Sequence, residues 1–192
     1  MTTKNNAENV SVGKPKATGA IFAAPKGTAV PKDATTALSN AYENVGYADG
    51  SGITSAVKAD SSEIKAWGGD TVLTVQTSHS ETFKITCIET NINVLKEFYG
   101  EDNVAMENNT LVIKSMAGDA VAHPWVIELL MNAGRIQRIV IPNGKLSERG
   151  DIAYTDGDAI KYEMTITALP DSDGVKSYRY IASPVASDQE DK

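Results

Sequence analysis

From Asp70 onward the chain alternates. In TVLTVQTSHSETFKITC, Leu73, Val75 and Thr77 share one parity, and Phe83, Ile85 and Cys87 continue it. The other parity, from Val72 through Thr74, Gln76, Ser78, Ser80, Thr82, Lys84 and Thr86, is almost wholly polar. A period of two in a stretch rich in Thr, Val and Ile predicts one long bent strand, or two strands hinged near Ser78–Glu81. Four later runs carry the same signature: TLVIKS at 110–115, PWVIELLM at 124–131, RIQRIVIP at 135–142 and AIKYEMTITAL at 159–169. SYRYIA at 177–182 closes the set. In the 159–169 run, Ile160, Tyr162, Met164, Ile166 and Ala168 face one way, while Lys161, Glu163, Thr165 and Thr167 face the other. That is the pattern of a half-buried antiparallel strand. Asn143-Gly144, Asp156-Gly157 and Asp173-Gly174 are hairpin-type turn signals.

One segment breaks the β rhythm. NINVLKEFYG places Val94, Leu95, Phe98 and Tyr99 at helical spacing, offers Asn91 or Asn93 as N-cap, and stops at Gly100. Upstream of Asp70 the pattern is weaker. GAIFAAP at 19–25 predicts a short strand, ATTALSNAY a helical turn or irregular chain, and 53–59 a further extended segment after turns at Asp49-Gly50 and Ser51-Gly52. Trp67-Gly68-Gly69-Asp70 is another break. Residues 1–17 are polar and predict a mobile arm, 18–182 a single domain, and 183–192 a polar, acidic tail. The fold class is mainly β, an antiparallel sandwich or barrel with one short α-helix.

At 192 residues, the chain can bury a core without disulfides or metals. Its single cysteine excludes an internal disulfide and a cysteine-rich zinc site. The net charge of −7 argues against gripping nucleic acid, whose affinity comes largely from Lys and Arg on phosphates. The first residues lack the apolar stretch of a signal peptide, and no window approaches a membrane span. Synthesis in the cytoplasm is the default expectation.

The stretch Gln76–Cys87 holds Ser78, His79, Ser80, Glu81 and Cys87, the ingredients of a nucleophilic site. A hydrolase needs nucleophile and base within hydrogen-bond reach. On an extended strand His79 and Cys87 stand roughly 26 Å apart, and the flanking serines point to the opposite face. Cys87, in the apolar parity, is expected to be an inert core thiol. With only His79 and His123, no metal-binding spacing exists, and no glycine pattern for a nucleotide appears. Asp171-Ser172-Asp173-Gly174 resembles part of a calcium loop, but its glycine falls at the fourth position instead of the sixth. Neither catalysis nor a cofactor is expected. Trp125 alternates with Ile127, Leu129 and Met131 as core, whereas Trp67 anchors a loop either on the core or on a neighbouring subunit.

The segments GAIFAAPKGTAVPKDATTALSNAYENVGYADGSGIT (19–54) and EIKAWGGDTVLTVQTSHSETFKITCIETNINVLKEFYG (63–100) resemble the major tail, or tail tube, proteins of long non-contractile-tailed bacteriophages. The similarity runs from about Thr18 to Ala182 and rests on A-P-x-G-T-x-x-P, the G-Y-x-x-x-x-G-I-T step, I-K-A-W with its glycines, T-V-Q-T-S and E-x-N-x-x-V-L in combination. The resemblance implies six copies per ring, with inner sheets joined into a continuous barrel. Rings stacked into a virion tube would pass double-stranded DNA, with tape-measure, tail-terminator and tail-tip proteins as further partners. On that reading Thr74, Gln76, Ser78, Ser80, Thr82, Lys84, Thr86, Lys161, Glu163, Thr165 and Thr167 are candidate lumen-facing positions. The 46–70 loop, with Tyr47, Asp49, Trp67 and Asp70, and the N-terminal arm are candidates for contacts between rings. The rival reading is another β-sandwich virion module, for decoration or adhesion, that forms no tube.

Overall fold

A computed structural model describes residue 5 and residues 10–16 and 19–183. The expected C-terminal tail beyond Ser183, and residues 1–4, 6–9 and 17 of the expected arm, lie outside the described residues. The fold is mainly antiparallel β with one α-helix. Strands β1 (Lys14–Pro15), β2 (Ile21–Ala23), β3 (Glu43–Asn44), β4 (Ala48–Lys65) and β5 (Thr71–Cys87) precede helix α1 (Ile92–Tyr99). Then come β6 (Val104–Glu107), β7 (Thr110–Ile113), β8 (His123–Leu130), β9 (Ile136–Arg149), β10 (Tyr162–Leu169) and β11 (Tyr178–Ala182). Nine of these form one sheet in the order β3-β2-β8-β9-β10-β5-β4, with β1 added along β8 and β11 along β9; β6 and β7 form a separate hairpin.

β9 organises the sheet. Its first half pairs with β8 on one side and β11 on the other, and its second half, Asn143–Arg149, pairs with β10. The expected break at Asn143-Gly144 is therefore not a turn but the middle of a strand. The local turn preference loses to packing: Gly144 lies against the buried Trp125, where a side chain would not fit. One apolar cluster takes Ile21, Trp125, Ile127 and Ile141 from the β2–β8–β9 half. It also takes Phe83, Ile85, Met164 and Ile166 from β5 and β10, and Val94, Leu95 and Phe98 from α1. A second cluster on the other face of β8 and β9 joins Val126 and Val140 to Ala24 and Tyr42. β8 is thus covered on both faces, which explains an apolar run interrupted only by Glu128.

α1 starts where its cap predicts, with Asn91 Oδ1 accepting the Val94 N–H at 2.8 Å. The 34–42 segment, for which the sequence allows a helical turn, is irregular. The β6–β7 hairpin closes on Asn108 and Asn109, both at positive φ, the geometry Asn tolerates best after Gly.

Residues 10–16, expected in a mobile arm, lie against the body. Lys14 and Pro15 pair with Leu130 and Leu129, and Asn132 Nδ2 donates to the Val10 carbonyl at 2.5 Å. Lys16 Nζ reaches Glu128 at 2.6 Å. Glu128 and Arg138 are buried together. Arg138 donates through Nε to Glu128 at 2.8 Å and through Nη1 to the Asp33 carbonyl at 2.9 Å. This network joins the 10–16 segment, a strap along β8, to the 24–42 loop and two central strands. Its directly bonded members are up to 112 residues apart in sequence, and only the charges inside apolar runs (Glu128 in VIELLM, Arg138 in RIQRIVIP) signalled it.

Candidate functional site

The segment expected as a loop from Gly46 to Asp70 is a strand. β4 and β5 pair from Ala48↔Cys87 to Lys65↔Thr71, forming one long hairpin whose tip is closed by the Ala66 N–H donating to the Asp70 carbonyl at 2.8 Å. Glycines at 50 and 52 do not end it. They fall in an irregular stretch between Ala48 and Ile53, where the register shifts and Gly52 takes φ 75°. Of the four expected contact residues, Tyr47 and Asp49 therefore sit at the root, and Trp67 and Asp70 at the tip. An extended strand separates the two pairs by something on the order of 50 Å.

Beyond Glu81 the hairpin leaves the body. Residues 71–79 are exposed on both faces, although Leu73 and Val75 continue the parity that buries Phe83, Ile85 and Cys87 nearer the root. Leu73, Val75 and Ile64 are 53%, 42% and 51% exposed, and Trp67 is fully exposed, so the tryptophan does not anchor on its own core. Three edges stay open here among the described residues: the outer edge of β4, the edge of β5 from 71 to 81, where β10 no longer reaches, and the edge of β9 from 145 to 149, where β8 has ended at His123↔Gly144.

The root is fixed by a polar knot. Glu81 is buried, accepting from Arg179 at 2.5 Å and from the Ser177 hydroxyl at 2.9 Å. Arg179 also donates to Ser55 Oγ on β4 at 3.0 Å and lies 5.7 Å from the centre of the Phe83 ring. Lys176 donates to the His79 carbonyl. β11 thus clasps both strands of the hairpin at the point where they depart.

The expected polar face exists on the body but not along the whole hairpin. Thr82, Lys84 and Thr86 stand opposite Thr167, Thr165 and Glu163, and no described helix or strand packs over them. Hydroxyls close on one another: Thr167 Oγ1 bonds Ser147 Oγ at 2.9 Å, and Ser147 Oγ donates to the Thr165 carbonyl at 3.0 Å. Lys84 pairs with Glu163 at 2.8 Å and Lys161 with Asp49 at 3.4 Å. Ser78 and Ser80 extend this face, paired with Asp60 and Lys58. Then the register skips Thr77, passing from Asp60↔Ser78 to Ser61↔Gln76. One extra residue in a strand exchanges its faces. Thr74 and Gln76 therefore lie on the opposite side from the other candidates, and Leu73 and Val75 take their place.

No nucleophile–base pair assembles in this stretch. His79 stands on the exposed hairpin, while Cys87 is buried at the far end of the same strand. Burial, with the charges of Glu89 and Glu97, pushes the Cys87 thiol up to about 12. The calcium-like turn is occupied by its own backbone. Asp171 Oδ1 accepts from the N–H groups of Asp173 and Val175, both at 2.9 Å, and Oδ2 from the Tyr178 hydroxyl at 2.7 Å.

A family model described as "Phage tail tube protein" matches residues 3–190. Among solved structures the chain is similar to the tube-terminating cap of the anti-feeding prophage. That structure was solved by cryo-electron microscopy and shows 12% identity and a TM-score of 0.44, over 92% of this chain and 97% of that one. A search of curated proteins found no match.

Proposed function

The chain belongs to the phage tail tube protein family, and from that premise we propose that six copies form a ring whose stacked repeats make the tail tube, a conduit for double-stranded DNA. The observation that carries this reading is the hairpin. A two-stranded ribbon alone is marginal in water, yet the outer half of β4–β5 exposes Ile64, Trp67, Val72, Leu73 and Val75, and no other described helix or strand packs on it. Apolar groups held away from the parent core serve contacts with another molecule. In a tail made of one repeated subunit, that molecule is the next copy.

The open edges supply the lateral contact. Pairing the outer edge of β4 with residues 145–149 of the neighbouring copy would close the β9–β10–β5–β4 region into a barrel and cover both of those edges. The other face of β5, β9 and β10 is packed against α1 in the apolar cluster, so the polar face would line the lumen. Within it, Ser78, Ser80, Thr82, Lys84, Thr86, Lys161, Glu163, Thr165 and Thr167 are the wall positions. Thr74 and Gln76 belong with the inter-ring hairpin. Tyr47 and Asp49, at the root, would stand at the lateral seam, and Trp67 and Asp70 at the ring-to-ring contact. The lumen would hold the tape-measure protein during assembly and DNA afterwards, with terminator and tip proteins at the two ends.

Negative-stain imaging of the concentrated full chain tests the assembly. Hollow tubes with a six-fold end view are expected. A population that stays monomeric at every concentration would remove the tube reading and leave a decoration or adhesion module.

A further inference from the structure

Resting on the reading of the polar face as the lumen wall, we propose that this wall is charge-balanced, its lysines neutralised by carboxylates of the same subunit. DNA would then meet a neutral, hydroxyl-rich surface in place of an acidic one. The chain carries 25 acidic and 18 basic residues, so a face taken at random would be acidic. This one is not. Its lysines are Lys58, Lys84, Lys145 and Lys161, and the register and side-chain contacts set Asp49, Asp60, Glu148 and Glu163 on the same side.

For three of the four lysines the pairing is geometric as well as numerical. Lys84 and Glu163 are diagonal cross-strand neighbours on β5 and β10, 2.8 Å apart in the middle of the face. Lys161 is held 3.4 Å from Asp49, and Lys145 lies 3.8 Å from Asp119 on the 114–122 loop. Lys58 follows the same face two residues from Asp60. The hydroxyls of Ser147 and Thr167 are engaged with each other and with the Thr165 carbonyl. A lysine already facing a carboxylate has little to gain from a phosphate, because the phosphate must displace a partner of the same sign. Unpaired lysines along a lumen would instead bind DNA through counterion release and slow its passage.

Tubes of the full chain, mixed with a short fluorescent DNA duplex and sedimented over a range of salt, test this. Wild-type tubes are expected to retain no DNA. Glu163→Gln tubes should retain it at low salt and release it as salt rises, with the logarithmic slope steeper by about 0.9 for each phosphate that a freed lysine neutralises. Adding Lys84→Gln to Glu163→Gln should restore wild-type behaviour. Retention by wild-type tubes overturns the proposal. It is also overturned if Glu163→Gln tubes behave as wild type while Glu163→Lys tubes hold DNA, although the lumen assignment then survives. If Glu163→Lys has no effect either, the face does not meet DNA and the lumen reading fails with the proposal. Should a Glu163 variant not form tubes, Asp49→Asn exposes Lys161 and gives the same comparison.

Discussion

An ideal Cβ at position 144 would stand 2.5 Å from Trp125 Cδ1 and 2.8 Å from Ile166 Cγ2, both parts of rigidly packed core side chains. Gly144 is therefore a space requirement, and its backbone is ordinary strand. Gly144→Ala is expected to cost about 1–3 kcal/mol, the usual range for overpacking a dense core. The fall should appear as a lower urea midpoint with an unchanged slope; a variant as stable as the parent would show that Trp125 has room to move. The same residue shows where reading from sequence stops. Asn-Gly is a strong hairpin signal taken alone, and nothing within its neighbourhood says that a tryptophan some twenty residues upstream needs the missing methyl. Cys87, by contrast, was legible, because its parity with Phe83 and Ile85 places it in the core.

Elements were legible where one face is buried within the same subunit. β10 buries Tyr162, Met164, Ile166 and Ala168 and half-exposes the residues between, as its alternation demands. α1 begins at its Asn cap and buries Val94, Leu95 and Phe98. On β5 the same alternation is ambiguous. Phe83 meets its own core, whereas Leu73 and Val75 have none, and a pattern of two cannot say whose core a face will meet. The bulge at Thr77 was likewise hidden, since an inserted residue leaves no mark in composition. The tie between α1 and the sheet carries a testable charge. His123 Nε2 on β8 lies 3.0 Å from Glu97 on the helix. Burial works against a charged ring, but the Glu97 hydrogen bond and charge outweigh it, helped by backbone contacts at Pro124 and Ala24, so the His123 pKa is raised. A group whose folded pKa exceeds its unfolded value contributes stability that is fully present below the unfolded value, near 6.5, and is lost as pH rises through the folded one. The melting temperature of the monomer should therefore carry a component that falls as pH rises above about 6.5. Glu97→Gln should flatten that component. An identical pH profile in the variant would show that the pair does not couple helix to sheet.

At the scale of the whole molecule, the subunit divides into a body that satisfies itself and a hairpin that does not. The body holds both apolar clusters, α1 and the Glu128–Arg138 network, and the Glu81–Arg179 knot marks the boundary. That division can be cut with little damage. Val57 and Glu81 are paired across the hairpin, just inside the boundary. Replacing residues 58–80 with Asn-Gly would close the strands in a two-residue turn that suits their twist. It would keep Glu81 on Arg179 and remove the exposed residues of the outer half. Because those residues bury little in the monomer, the shortened chain should unfold within about 1 kcal/mol of the parent, as substitutions outside a packed core do. It should also form no tubes. A large loss of stability would place the outer hairpin in the folding core of its own subunit. Normal tubes from the shortened chain would leave ring stacking to another surface, the strap at 10–16 or the β6–β7 hairpin being the next exposed candidates. The expected result, an intact body without assembly, would locate in the outer hairpin the apolar surface that this family member withholds from itself and offers to its neighbour.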